Sequence, residues 1–347
     1  EGIMKKLKDS FKANKLLALA TVILVLFMLL VFENSLLMLR FARIEKNNLF
    51  NWGVSFSQVQ AERFGSDWRA NYIALLDDLK FKNIRISAYW DRIEPQKNQF
   101  DFSETDWMMD EATKRGAKIT LVVGQKNLRY PECYYPSWVD SANIQQTSDD
   151  ATNMIVKIAQ RYKNHPALEN WQLENEFLLK SFGKCPAKML TNAQLKKELV
   201  ALRSIDPNHY IILTQSDQFG LPVLGPFADV FGMSMYRWSW DKKIGYWRYP
   251  QNGTYFWWKA GLISAFYGQS IKIHELQAEP WGPWGNEHIS VAEASRTMNP
   301  DKLRSNIDYA KQTKIKSIDL WGAEWWWYQK QTGQDDMWQA VKSSIKQ

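Results

Sequence analysis

An Asn-Glu pair, Asn175-Glu176, ends the stretch Trp171-Gln172-Leu173-Glu174-Asn175-Glu176-Phe177. Apolar positions that give way to three polar ones are what a buried strand shows when it runs out into an active site. Read this way, Glu176 is a general acid/base. A second carboxylate, Glu275, closes the run Ser270-Ile271-Lys272-Ile273-His274-Glu275, and Glu279 lies just beyond it. Other strand-like runs end on Arg85, on Tyr236, and on Trp321 with Glu324 and Trp325 following. Two carboxylates brought by separate strands to one mouth suit cleavage of a glycosidic bond. One protonates the leaving oxygen, while the other attacks the anomeric carbon or activates water. A lone glutamate is more commonly a solvated charge, so the inference rests on the set.

These side chains need a scaffold that gathers strand ends. From residue 49 onward, β-like runs alternate with helical ones. Strands are expected at 50–56, 83–87, 118–124, 171–177, 210–214, 229–235, 270–275 and 317–321. Helical spacing, as at Tyr72, Leu75, Leu76 and Leu79, predicts helices over 68–80, 104–115 with Ser103 as cap, 150–162, 192–205, 255–267, 301–313 opened by Pro300, and 336–345. A short Pro- and Gly-containing segment stands in for the helix after the fifth strand, and an aromatic loop, 236–249, follows the sixth. Eight strands in strict alternation with helical connections predict a (β/α)8 TIM barrel, whose catalytic residues sit at the C-terminal strand ends. A doubly wound sheet is disfavoured. Its first strand would lead into a Gly-rich phosphate turn, and here Ser57-Gln58-Val59-Gln60 follows instead.

Residues 84–95, with Phe100-Asp101-Phe102, resemble the second-strand region of family 42 β-galactosidases and family 1 β-glucosidases. Residues 171–177 resemble the Asn-Glu acid/base motif of the clan A glycoside hydrolases. Residues 268–275 resemble their seventh strand, which ends in the nucleophile, and Leu320-Trp321-Gly322 their eighth, where a tryptophan floors the sugar site. The similarity covers most of 50–330 at motif level, extends to related cellulase and β-glycosidase families, and selects no single family within the clan. It implies a retaining double displacement on β-linked sugars. Glu176 would be acid then base, with a raised pKa. Glu275 would be the ionised nucleophile, hydrogen-bonded by Arg85, which keeps its pKa low, and oriented by Tyr236. Asn175 would bind the sugar 2-hydroxyl, and Trp321 would stack on the ring with Trp325 as second choice. Glu279 either lines a subsite or competes as nucleophile; the spacing from Gly268 favours Glu275.

Strict alternation puts Glu174 and Glu176 on one face of a strand and Asn175 on the other. Asn175 and Glu176 therefore share a site only if the strand end is distorted. Glu174 is then a buried acid, either paired with a cation or itself the acid/base, with Glu176 favoured by the motif. His274 reads as a core or supporting histidine. No clustered His/Cys spacing is present, so neither a metal nor another cofactor is implied. Cys133 and Cys185 fall in the loops after the third and fourth strands, neighbours on the catalytic face. A bridge between them would close a loop of about 50 residues and contribute about 2–4 kcal/mol.

The chain has 347 residues, 45% hydrophobic and 23% charged, a globular composition with length enough for such a barrel. Its 18 tryptophans suggest flat surfaces on which sugar rings stack. Of the net charge of +7, residues 1–46 carry eight of 44 basic and four of 37 acidic side chains, which leaves about +3 elsewhere. No basic stripe points to nucleic acid. The chain begins at Glu1, and Met4 reads as the natural start. Lys5, Lys6, Lys8, Lys12 and Lys15 precede residues 16–32, of which only Thr21 is polar; as a helix they would span about 26 Å. No A-x-A-like cleavage site follows. The expected organisation is a basic cytoplasmic tail (1–15), an uncleaved transmembrane signal anchor (16–32), a tether (33–48) and a catalytic domain (49–347). The positive-inside rule makes this a single-pass membrane protein with its catalytic domain on the extracytoplasmic side. The expected partners are the membrane and an oligo- or polysaccharide or other glycoside. Two rival readings share the barrel: a non-catalytic carbohydrate-binding protein, and a transglycosylase that uses the same covalent intermediate.

Overall fold

The computed structural model describes residues 18–26, 28–29, 49–180, 182–186, 188–216, 218, 229–283 and 289–345. The chain separates into two units, Glu1–Asn48 and Leu49–Gln347. In the first, 18–26 and 28–29 are helical; the rest of the expected tail, anchor and tether lies outside the described residues. No helix among the described residues is long and apolar enough to cross a membrane.

In the second unit, eight parallel strands close into a barrel. They are β1 (Asn51–Ser55), β2 (Asn83–Ser87), β3 (Lys118–Val123), β4 (Leu168–Leu173), β5 (Tyr210–Gln215), β6 (Val230–Met235), β9 (Ser270–Gln277) and β10 (Ser317–Trp321). Between β6 and β9 the aromatic loop folds into an antiparallel hairpin, β7 (Trp238–Asp241) with β8 (Gly245–Arg248). Around the barrel the order is β1-β10-β9-β6-β5-β4-β3-β2. The expected TIM barrel is therefore the fold, with Val54 beside Ile84, Ile84 beside Ile119 and Leu121 beside Trp171 in the ladder.

The strands read as near-continuous apolar runs because helices cover their outer faces. Inside, the barrel carries a buried ion pair, Lys272 to Asp319 at 2.8 Å. Gly53 makes room for it: a Cβ there would lie 2.2 Å from an Asp319 carboxylate oxygen.

The covering helices follow the sequence periods, and their differences from expectation are local. The helix Ile144–Tyr162 starts six residues before Asp150. After Ile144 its opening turns are polar all round, held by the Asn143 cap and by Gln145 and Gln146 bonded to Asp149 and Asp150, so no apolar period marks them. Ser103 is the first residue of the helix Ser103–Lys114 rather than its cap; Asp101 accepts its N–H at 2.8 Å. The segment expected after the fifth strand falls almost wholly outside the described residues.

Candidate active site

The ordered part of β4 stops at Leu173. The next residues leave the pleat, with φ of 60° at Glu174 and 47° at Glu176, left-handed values that non-glycine residues rarely adopt. This is the distortion that alternation demanded. The turn is fixed by hydrogen bonds from Glu174 N–H to the Val123 carbonyl (2.8 Å), Asn175 N–H to the Lys126 carbonyl (2.7 Å) and Glu176 N–H to Thr214 Oγ1 (2.8 Å). As a result, Asn175 and Glu176 both reach the barrel mouth, and both are buried. β9 carries a matching irregularity. Its register with β6 slips between Met233 and Ser234, and with β10 between Ile318 and Leu320. The slip falls at His274, so His274 and Glu275 approach the same space.

Arg85, from β2, sits at the centre. Its Nη2 donates to Asn175 Oδ1 at 2.7 Å and to Glu275 Oε1 at 3.1 Å, while Nη1 donates to Ser55 Oγ and to the His274 carbonyl. Tyr236 Oη donates to the other Glu275 oxygen at 3.0 Å. Burial and the Glu275 charge keep that phenol protonated. Glu176 accepts from Ser234 Oγ. His274 Nε2 lies 3.5 Å from an oxygen of each glutamate. One ligand atom each from Glu176, His274 and Glu275 fall within 4.8 Å of one another, so an oxygen of Glu176 lies within that distance of an oxygen of Glu275. The same three groups could ligand a cation, but the Arg85 guanidinium already supplies positive charge there.

Burial pushes the Glu275 carboxyl above its usual range, and the like charge of Glu176 adds to this; the charge and hydrogen bond of Arg85 pull the other way. The expected hydrogen bond from Arg85 is present, but the expectation that it keeps the Glu275 pKa low is corrected: desolvation outweighs it. His274 is pushed down to about 3 by burial, so it is neutral at ordinary pH.

Glu174 does not join this cluster. Its carboxylate accepts the N–H groups of Gln125 (2.9 Å) and Lys126 (2.6 Å) and thereby shapes the loop after β3. Its neighbour is another acid, Glu198, on the helix Asn192–Ile205. Gly124, at φ 128°, permits the approach, since a Cβ there would fall 2.4 Å from the Glu174 carboxyl carbon. The same loop carries the Cys133–Cys185 disulfide, which ties it to the loop after β4 as expected. In the same loop Lys126 pairs with Glu132 at 2.9 Å and donates to the Glu176 carbonyl at 3.0 Å.

Trp321, Glu279 and Glu324 meet through a residue that sequence reasoning missed, Arg129. Its guanidinium lies 4.0 Å from the Trp321 ring centroid and bonds both carboxylates, with Glu279 Oε1 at 2.5 Å. Trp321 Nε1 donates to the same Glu279 oxygen at 2.8 Å. Glu324 also accepts from Ser57 N–H, Ser57 Oγ meets Tyr89 Oη, and Tyr89 Oη donates to the Leu128 carbonyl. Loops after β1, β2, β3, β9 and β10 are thus joined into one buried polar wall. Trp321 is only 7% exposed, and Trp325 is buried with its indole N–H lacking a hydrogen-bond partner among the described residues. Ser234 was also missed; it lies two residues before Tyr236 on β6, so same-face spacing could have found it.

The family model for cellulase (glycosyl hydrolase family 5) matches residues 48–318. The chain belongs to glycosyl hydrolase family 5. It falls within the clan A glycoside hydrolases that its motifs resemble, although the second-strand motif is similar to families 42 and 1. Among curated proteins it is 25% identical to the β-galactosidase LacZ of Heyndrickxia coagulans over 158 residues, 39% of this chain and 22% of that one. The chain thus spans under a quarter of that relative's length. Two solved structures share the fold. One is a GH5_18 protein from Bifidobacterium longum subsp. longum in complex with Manβ1-4GlcNAc (TM-score 0.56, 16% identity, 78% of this chain and 68% of that one). The other is a GH10 endoxylanase from a sugarcane soil metagenome (TM-score 0.56, 15% identity, 79% and 86%).

Proposed function

We propose that this family 5 protein is a retaining, exo-acting β-glycosidase tethered to a membrane. The observation that carries the reading is the opposed pair Glu176 and Glu275, whose nearest ligand atoms lie within 4.8 Å. Retaining enzymes hold their carboxyl groups about 5–5.5 Å apart and inverting enzymes about 6.5–9.5 Å. Glu176 donates a proton to the glycosidic oxygen while Glu275 attacks the anomeric carbon, giving a glycosyl-enzyme ester and the free leaving group. Glu176 then takes a proton from water, which attacks the same carbon and releases Glu275. Asn175, fixed by Arg85 and by Gln172 Nε2 at 3.1 Å, accepts from or donates to the sugar 2-hydroxyl.

Exo action is supported by the wall. Glu176 must reach the leaving oxygen, so the leaving group lies beside β4 and the sugar being cleaved lies over Glu275 and Trp321. Beyond it stands the buried Arg129–Glu279–Glu324 cluster, placed where further sugar residues would have to pass. Anchoring is supported by the Lys cluster and apolar run of residues 5–32, and an extracytoplasmic catalytic domain by the disulfide. Alkaline carbonate extraction of membranes tests the tether; release of the intact chain would refute it.

The deciding experiment is a panel of aryl β-glycosides against wild type and Glu275→Gln, with the anomer first released read by NMR. Hydrolysis with β-product, lost in the variant, is expected. Equal activity in both proteins removes Glu275 from the mechanism.

A further inference from the structure

A cavity of about 750 Å³ that includes neither catalytic glutamate lies between Arg237, the segment 248–252 that runs from the end of β8 to the cap of the helix Gly253–Tyr267, and the helix Pro300–Gln312. We propose that it binds an oxyanion, either a free phosphate or sulfate or the carboxylate of an acidic sugar. The first observation is Arg237. It is only 7% exposed, lines the cavity, stacks on Tyr309 at 3.9 Å, and makes no ion pair among the described residues; its Nε has no hydrogen-bond partner. A buried guanidinium without a counter-anion is strongly disfavoured unless a ligand supplies one.

The second observation is that Arg248, an exposed side chain on the same wall, has no acidic partner among the described residues; it lies 5.9 Å from the Trp238 ring centroid, and its charge acts on the Tyr309 phenol. The remaining charges on the lining neutralise one another or point to solvent. Asp301 pairs with Arg304 at 3.1 Å with its side chain 91% exposed, and Asp308 lies 3.6 Å from Lys311. Third, Asn252, the N-cap of the 15-residue helix Gly253–Tyr267, lines the cavity, so the positive end of that helix faces the same space. The buried fork of Arg237, the exposed one of Arg248 and a helix start match the geometry of a carboxylate, sulfate or phosphate group.

The site shares no side chain with the catalytic cluster, so its occupation need not follow turnover. The test uses the full chain titrated with inorganic phosphate, with sulfate and with methyl β-glucuronide at ionic strength matched by sodium chloride, read by calorimetry and by thermal unfolding. Saturable binding of at least one probe is expected, weakened at least ten-fold in Arg237→Met and in Arg248→Met. Arg248→Met guards against a folding defect in the buried variant and is expected to leave hydrolysis of a neutral aryl glycoside unchanged. Preference for the glucuronide assigns the site to an acidic glycan, and preference for phosphate or sulfate to a free ion. No response beyond chloride, or binding undiminished in both variants, overturns the proposal.

Discussion

A single nitrogen of Arg85, Nη2, donates to Glu275 at 3.1 Å while also holding Asn175 at 2.7 Å. In the proposed mechanism, the amide that would meet the sugar and the carboxylate that would attack it are therefore positioned by one guanidinium. Arg85→Met is predicted to lower kcat/KM by about 10²–10³-fold, the scale of losing one preorganised charge contact. The sign of its pH effect follows from the electrostatics. Arg85 opposes the upward push of burial on Glu275. Without it that pKa rises further, and because Glu275 must be ionised to attack, the acid limb of kcat/KM moves to higher pH. Arg85→Lys, which keeps charge but loses the fork, should fall between. A folded Arg85→Met enzyme with an unmoved acid limb would show that the contact does not tune Glu275.

Glu176→Gln separates the two chemical steps. An amide cannot protonate the leaving oxygen, so sugars with poor leaving groups should lose about 10²–10⁴-fold in rate. Dinitrophenyl glycosides, whose leaving group needs little protonation, should still form the glycosyl-enzyme and give a burst. Azide, which needs no general base, should then restore turnover and yield a β-glycosyl azide. An α-azide, or equal losses for all leaving groups, would contradict the assigned role.

The barrel was legible because its signals are local: β-branched runs alternate with 3.6-residue periods, and polar residues gather where strands stop. Glu176, Glu275, Arg85, Asn175 and Tyr236 meet for that reason. What was not legible is set by tertiary contacts. The left-handed turn at Glu174 and Glu176 depends on partners in β3's loop and on Thr214, none of them near in sequence. Arg129 lies in a loop with no period, and its role appears only when loops after β9 and β10 bring Glu279 and Glu324 to it. Strand parity also misplaces any residue beyond a bulge, which is why His274 and Glu275 could not both be oriented in advance.

The wall through Arg129 makes a prediction about products. Oligosaccharides labelled at the reducing end should shorten by one residue at a time from the other end, with monosaccharide the first product. Glu279→Ala removes one carboxylate of the wall and is predicted to let some disaccharide appear. It should also cost stability, on the order of 1–3 kcal/mol, because Arg129 loses a buried hydrogen-bond partner. Release of internal fragments by the wild type would mean that the wall does not close the sugar site, while leaving the catalytic pair intact.

The acid that shapes the β3 loop carries its own pH signature. Burial raises both Glu174 and Glu198, the latter to about 7, with the charge of Glu198 adding to the rise at Glu174. In the unfolded chain both titrate near the ordinary glutamate value of about 4.3. The folded state therefore binds more protons than the unfolded state between these values. Its contribution to stability is complete below the unfolded pKa and is lost as pH rises through the folded one. The wild type should accordingly lose stability between about pH 4.3 and 7. Glu198→Gln keeps the shape and removes one titrating group, so it should flatten that slope and gain on the order of 1–3 kcal/mol at pH 8. The variant also removes the Glu198 charge that adds to the burial effect on Glu174, which keeps the N–H groups of Gln125 and Lys126, the bonds that fix the loop carrying the disulfide. Calorimetric unfolding of both proteins at pH 5 and pH 8 measures the difference; an unchanged slope in the variant would assign the pH dependence to other groups.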